Sequence, residues 1–469
     1  MALAAALIWE VRTTGADTAG GAFKPGASGT DFSQQSAAQY ALTGLTTAAA
    51  DAILLHASSA ADMVGNVIQI TSGTNFTVGF YEIVSVVVGV SITVDRTCTT
   101  AAGAAGVGNV GGALLTPGMV AGARVAGNTV FIKYNASAYI LSTATPNISG
   151  GPVNDTVDGS DSVPDFWIGY DSTRTTVNTD SNKPLIQVPA AGVTTISVFK
   201  VNPSSTLCNT IVRNIKIDGQ SKTSIRGFES SGGAANVVFE NCEAINCTNN
   251  GFSLSSAVGG AVNSLATGCS SSAAFGVSLD RSYAIGCVAR SNTATGFEIS
   301  SGYCLNCISA SNTGGSTDGF SQGGGLVNAR LYNCVAYANG RDGFRMASGN
   351  PRGSTAFNTI AYGNGGYGFN GNGFYQQSFC AGGSNTSGNE TGVDRSLSFV
   401  TLTADPFTNA AAGDFSLNNT AGGGALCRAA GFPGVFPGGL TTGYLDIGAV
   451  QHEDAGGGGG PLINGRLVA

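Results

Sequence analysis

One short module is written over and over in the second half of this chain, and that repetition limits the possible folds more than any other feature. LYNCVAYANGRDGF (331–344) is followed by TAFNTIAYGNGGYGF (355–369). The same frame fits FENCEAINCTNNGF, LATGCSSSAAFGV, AIGCVARSNTATGF and CLNCISASNTGGSTDGF upstream. A small, weakly polar anchor stands at Cys242, Cys269, Cys287, Cys307, Cys334 and Thr359, with Cys380 continuing the file. A second anchor is glycine followed by an apolar residue: Gly251-Phe252, Gly276-Val277, Gly296-Phe297, Gly319-Phe320, Gly343-Phe344 and Gly368-Phe369. Between the two, asparagine recurs at Asn249, Asn292, Asn312, Asn339 and Asn364.

The first anchors lie between 18 residues (Cys269 to Cys287) and 27 residues (Cys242 to Cys269) apart. That spacing suits one turn of a stacked ribbon, in which each coil lays short strands about 4.8 Å above the last. Cysteine two residues before alanine, as at Cys287 and Ala289 or Cys334 and Ala336, gives strand alternation, so Cys242, Cys269, Cys287, Cys307, Cys334 and Cys380 are expected to form an inward core ladder. The asparagines are expected at bends, where the side chain tolerates left-handed backbone and stacked amides bond along the axis. Glycine supplies the next turn and phenylalanine plugs the core after it.

These repeats resemble the right-handed parallel β-helix family, shared by pectate-lyase-like enzymes and phage tail spikes. The resemblance is strongest over 211–390, reaches back to NTVFIKYNASAYIL at 128–141, and runs to YLDIGAVQ at 444–451, which is similar to a closing strand in that family. The handedness is implied by the resemblance. The fold expected is therefore all-β, a parallel β-helix solenoid over 116–450. A small mixed, mainly β, N-terminal capping or attachment domain is expected over 1–115, and a short C-terminal tail behind a Gly-run linker over 451–469. In the first segment SQQSAAQYALTGLTTAAADAILLH reads as a short helix, GNVIQITSGTNFTVGFYEIVSVVVGVSITVDR as three or four strands, and AAGAAGVGNVGG as a flexible joint. MALAAALIWEVR lacks a basic leader and reads as an ordinary first strand.

Composition narrows function mainly by exclusion. With 71 glycines, 10% charged residues, a net charge of −7 and no block of Lys or Arg, the chain lacks the basic footprint of a nucleic-acid binder, so no nucleic acid is expected as a partner. The apolar run from Tyr81 to Val94 is broken by Ser and Gly and too short to span a bilayer, so no membrane is expected either. CLNC at 304–307 has no second CxxC, and His56 and His452 have no ligand neighbours, so neither a metal nor a cofactor is expected. An odd count of 11 cysteines without secretory context points to a reducing compartment.

Lyases on the resembled fold use clustered carboxylates with calcium and an Arg or Lys base, and hydrolases use Asp pairs. The weak catalytic candidates that match are Asp318 and Asp342, one coil apart, with Arg341 and Arg345 beside them; aspartate before glycine is also an ordinary turn residue. The outward positions form a file of Val288, Ile308, Val335 and Ile360 beside one of Tyr337 and Tyr362, which reads as an interface between shafts, a glycan surface or ordinary β-surface residues. The functional expectation that follows is a structural phage virion-surface protein made in the host cytoplasm, a tail spike, fibre or capsid decoration. It would be a homotrimer, touching other virion proteins through its N-terminal domain or C-terminal tail, and host polysaccharide along the shaft. The alternatives are a polysaccharide lyase or hydrolase on the same fold, and an extracellular adhesin or filament subunit.

Overall fold

The computed structural model describes residues 3, 6–142, 148–149, 164–175, 182–190, 192, 194–201, 209–231, 236–255, 258–270, 273–277, 282–300, 302–322, 329–346, 354–371, 375–432 and 445–451. The chain forms two compact units: Met1–Gly192 with Phe199–Lys216, and Val193–Val198 with Ile217–Ala469.

The second unit is a parallel β-helix. Each coil carries three short strands, as in Tyr283–Ile285, Val288–Arg290 and Thr295–Ile299, followed by Gly302–Leu305, Ile308–Ala310 and Phe320–Gln322. Each strand pairs in parallel with its counterpart one coil on: Tyr283 with Tyr303 and then Arg330, Val288 with Ile308 and then Val335, Phe297 with Phe320 and then Phe344. Three parallel sheets result, termed the first, second and third faces in chain order within a coil. The register explains why the module repeats: a side chain reaches the core only if its counterpart in every neighbouring coil has the same inward parity.

Between the first and second strands the chain turns on one residue with positive φ. Asn241 (φ 50°), Asn263 (49°), Asn306 (55°), Asn333 (50°) and Asn358 (53°) hold this place, with Gly286 (62°) among them. Asparagine and glycine enter left-handed backbone at least cost, which is why N-C recurs at the turn at 241–242, 306–307 and 333–334. The residue after this turn is the inward file. It holds Cys242, Ser264, Cys287, Cys307, Cys334, Thr359 and Cys380, set by the pairs Glu243–Leu265, Leu265–Val288, Val288–Ile308, Ile308–Val335, Val335–Ile360 and Ile360–Ala381 one residue further on.

Cys269 is a correction to the expected ladder. It lies four residues after Leu265, level with Cys247 and with the asparagine file, and its backbone N–H donates to Asn292 Oδ1 at 2.8 Å; Ser264 takes the ladder position, accepting from Cys242 N–H at 3.1 Å. Two other assignments shift for the same reason, a coil that gains or loses a residue between anchors. Phe275, not Val277, pairs with Phe252, and Cys247 stands where Asn249 was expected. All ten described cysteines are buried free thiols, and burial pushes Cys380 up to about 11.

The asparagine file itself does not sit on the left-handed turns. Asn292, Asn312, Asn339 and Asn364 are buried, and each Nδ2 donates to the Oδ1 one coil on, at 2.8, 2.9, 3.0 and 2.9 Å, ending at Asn385. On the third face runs a column of rings, Phe228, Phe252, Phe275, Phe297, Phe320, Phe344 and Phe369, with neighbouring centroids 4.6 to 4.9 Å apart.

The first unit contains coil strands and a separate six-stranded antiparallel sheet. Ile8–Val11 is a strand, as expected, and pairs in parallel with Thr129–Lys133, which pairs in turn with Asp165–Tyr170. The expected helix is instead two strands of the antiparallel sheet, Tyr40–Leu45 and Ile53–Leu55, whose Leu42, Leu45 and Leu54 join a core with Ile68, Ile70, Ile83 and Ile92. The expected flexible joint lies in the strand Thr99–Val110. Its glycines serve close packing: a Cβ on Gly106 would meet the Phe76 ring at 2.6 Å, and on Gly103 at 2.9 Å. The expected strands over 65–96 are present as Val67–Phe76, Gly79–Val87 and Ser91–Val94.

Candidate functional site

The faces of the second unit differ in what they offer outward. On the second face the expected apolar patch is formed but not free. Val288, Ile308, Val335 and Ile360 stack as expected, yet are only 5%, 8%, 0% and 0% exposed, because Leu402, Phe407, Phe415, Leu417, Cys427 and Ile447 of the same chain pack over them. Tyr337 lies 6.2 Å from Tyr362, meets Phe407 and Phe415 edge-on, and donates to Asp405 Oδ2 at 3.0 Å. Burial, followed by Asp405, pushes its phenol up to about 12. Residues 445–451 are no closing strand: Ile447 and Gly448 bond Cys427 O and Asn358 O, and Gly448 (φ +118°) seats its backbone where a Cβ would meet Ile360 Cδ1 at 2.8 Å. Physically, an apolar file this long is a liability in water, and the chain covers it itself. Tyr444, the tail and His452 lie outside the described residues.

The first face carries rings that sequence reasoning missed. Tyr283 and Tyr303 stack at 5.6 Å and Tyr332 and Phe357 at 5.7 Å, with the exposed Arg330 one coil beyond Tyr303. Gly260 lies under the Tyr283 ring, which a Cβ would strike at 2.1 Å. The signal for these rings is the period-two alternation of YAI, YCL, RLY and TAF, which lines up from coil to coil and puts Tyr283 with Tyr303 in one file and Tyr332 with Phe357 in another.

The third face is polar throughout. Its outward file runs Ser253, Gly276, Glu298, Ser321, Arg345, Asn370, all half-buried, and here the structure brings the four weak catalytic candidates together. Asp318 is fully buried and accepts from Arg341 through both oxygens, Nε to Oδ1 at 2.7 Å and Nη2 to Oδ2 at 2.5 Å, with Arg345 Nη1 3.8 Å from Oδ2. Asp342 sits one coil away, its N–H donating to Asp318 Oδ1 at 3.2 Å. Its own oxygens accept from Tyr367 N–H and Asn370 Nδ2, both at 2.8 Å. Both carboxylates are thus committed to neighbours, and they brace the turn from which the two arginines project. The hydrogen bond to Asp318 holds the Arg341 guanidinium above its usual range.

That bracing has a measurable size. Arg341→Met strands the Asp318 charge in the wall and should lower stability by ~3 kcal/mol, the low end for breaking a buried pair because Arg345 lies close. The double variant Arg341→Met with Asp318→Leu should recover most of it in urea unfolding; no recovery would mean the two do not act as a pair. Cys304 and Cys307 are both buried, Cys304 in the strand Gly302–Leu305 of the first face and Cys307 just after the turn and before the strand Ile308–Ala310, in keeping with a core role.

The fold and this face together define a class, the parallel β-helix solenoids with an open polar sheet along the coil axis. Among solved structures the chain is similar to pectate lyase Pel9A, with 17% identity, a TM-score of 0.55, and coverage of 73% of this chain and 92% of that one. Two others are more remote: a mannuronan C-5 epimerase A-module of Azotobacter vinelandii, at 15% identity over 59% of this chain and 69% of that one with a TM-score of 0.38, and a rhamnogalacturonan lyase, at 13% over 60% and 70% with a TM-score of 0.36. No family model matches the sequence, and no curated protein sequence matches it.

Proposed function

We propose that this protein acts on a polysaccharide laid along the third face, and that the polysaccharide is acidic. The observation that carries the reading is that face itself: a half-buried file of small and polar residues with Arg341 and Arg345 side by side on it, while the second face is covered by the chain's own residues. Hydroxyl-rich ligands take such hydrogen-bonding surfaces, and guanidinium groups pair with sugar carboxylates in fork geometry. The likeness to a pectate lyase fold supports the same direction. Hydrolysis by an Asp318–Asp342 pair is disfavoured, since both carboxylates are buried, 0% and 4% exposed, and bonded within the coil rather than open to a glycosidic bond. Elimination from a uronate fits better: a hydroxide-type base from solvent takes the proton α to the carboxylate, its electron pair forms the new double bond, and the glycosidic C–O bond breaks with its pair on the departing sugar oxygen, while Arg345 would neutralise the carboxylate and stabilise the charge that develops there.

The test is release of unsaturated uronate ends from a panel of acidic polysaccharides. Arg345→Ala should lower kcat/KM by about 100-fold or more, the loss typical of one charge-stabilising donor, with a smaller loss of stability than Arg341→Met because Arg341 still pairs Asp318. A wild-type protein that cleaves none of the panel, under conditions where it binds them, retires the lyase reading.

A second reading keeps support from one observation, the full commitment of Asp318 and Asp342 to structural bonds. In that reading the coil is a non-catalytic shaft of a virion-surface protein that binds host glycan. The homotrimer expectation rests on the tail-spike resemblance; with the apolar file of the second face covered, a trimer contact would come from elsewhere on the surface. Electron microscopy of the native material distinguishes a particle-bound trimer from a free monomer.

A further inference from the structure

The first unit holds a second polar assembly, built around a carboxylate with no exposure. Glu10 sits in the strand Ile8–Val11. Its Oε1 accepts from Arg12 Nε at 2.7 Å and from the Tyr170 hydroxyl, and its Oε2 from Arg174 Nε at 2.8 Å and Nη2 at 2.7 Å. Arg174 also reaches Asp31 at 3.2 Å and Ser33 Oγ at 2.9 Å, and lies over the Phe131 ring at 5.2 Å. Arg12 is held by this network through Nε and Nη2, the latter on Tyr170 Oη at 3.0 Å and Gln34 Oε1 at 3.3 Å. Its Nη1 has no hydrogen-bond partner among the described residues.

Beside the network opens a cleft of about 180 Å³, lined by Arg12, Thr13, Thr14, Lys133, Tyr134, Asn135 and Tyr139. The charges do not cancel there. Glu10 and Asp31 balance Arg12 and Arg174, which leaves Lys133 in surplus, without an ion-pair partner among the described residues. Burial and then Glu10 push the Tyr139 and Tyr170 phenols up, and both hydroxyls donate within the protein, Tyr139 to Lys133 O and Tyr170 to Glu10 Oε1, so the Tyr134 hydroxyl is the phenol left to face the cleft. A fixed guanidinium edge, an ammonium, and hydroxyl and amide groups therefore converge on a space of monosaccharide size.

The geometry points to this cleft as a binding site for a single acidic sugar unit, its carboxylate between Arg12 Nη1 and Lys133 and its hydroxyls on the threonine, tyrosine and asparagine groups. The choice of a sugar over a bare anion rests on the polysaccharide reading above; the choice of the cleft does not.

Calorimetric titration of the full chain with D-galacturonate, D-galactose and inorganic phosphate tests it. Galacturonate should bind at least about tenfold more tightly than galactose, and Lys133→Gln should remove about tenfold of that, the size expected of one charged hydrogen bond. Tyr134→Phe, which deletes only a hydroxyl, should weaken galacturonate by a few-fold and serves if Lys133→Gln does not fold. Arg345→Ala should leave this binding unchanged even if it abolishes cleavage, so the cleft and the third face fail separately. The inference is overturned if galactose binds as well as galacturonate, if Lys133→Gln or Tyr134→Phe changes nothing, or if Arg345→Ala removes the binding. Phosphate binding as tightly as galacturonate overturns the sugar assignment, marking a plain anion hole.

Discussion

Phe320→Ala is expected to lower stability by ~3–5 kcal/mol, the range for removing a buried phenylalanine. The ring has no exposed surface and is stacked on both sides, 4.7 Å from Phe297 and 4.9 Å from Phe344, nearly parallel to each. Two features place this site at the upper end. The column is continuous, so the cavity cannot be filled by one neighbour without unstacking the next. Each coil also depends on the interfaces above and below it, so a gap weakens two interfaces at once. Phe320→Leu, which keeps most of the apolar volume, should cost about 1–1.5 kcal/mol. Urea unfolding followed by circular dichroism reads both, and a loss for Phe320→Ala below about 1 kcal/mol would show that the column is dispensable.

The second large effect is expected at Asn339. Its Oδ1 accepts from Asn312 Nδ2 at 2.9 Å and Ser309 Oγ at 3.3 Å, while its Nδ2 donates to Asn364 Oδ1 at 3.0 Å and Ser309 O at 3.1 Å. Asn339→Ala strands donors and acceptors in a dry interior, at ~1–3 kcal/mol for each group left unsatisfied, and a total near ~3 kcal/mol allows for partial relaxation. Asn339→Asp is the sharper test because it keeps the shape. The carboxylate turns a donor into an acceptor facing Asn364 Oδ1, and burial raises its pKa above the unfolded value of about 3.9. The variant should therefore approach wild-type stability only below about pH 4 and lose it as pH rises through that value, because the unfolded chain ionises first. A variant equally stable at pH 3.5 and pH 7 would mean that the ladder tolerates a buried charge and that donor–acceptor matching between amides is not what holds it.

Legibility follows the period. The repeat of N-C, Asn and Gly-Phe is enough to identify a coil, because a parallel stack imposes the same inward parity on every copy and writes it into the sequence many times. Where a coil changes length the period misleads: Cys269 for Ser264, Val277 for Phe275, Asn249 for Cys247. Nothing local distinguishes two small polar residues five apart; only the hydrogen-bonded register does. The Asp318, Asp342, Arg341 and Arg345 cluster is legible because it too recurs with the period, but its bonding is not, since partner choice depends on side-chain reach across coils.

What the sequence determined by itself, then, was the layered interior: small residues in an inward file, stacked amides and rings beyond; the left-handed backbone it assigned to the amide file belongs instead to Asn241, Asn263, Asn306, Asn333 and Asn358. Those positions are set by backbone geometry and by burial that is identical in each layer. Tertiary structure alone decided the surfaces. It laid Leu402, Phe407, Phe415, Leu417, Cys427 and Ile447 over the valines and isoleucines that looked exposed, made strands and tight packing of the glycine-rich segment near 100, and brought Glu10, Arg12 and Arg174 into one network, with Arg12 and Lys133 on the cleft beside it. Such contacts join segments that share no period, and a contact without a period leaves no mark in the order of residues.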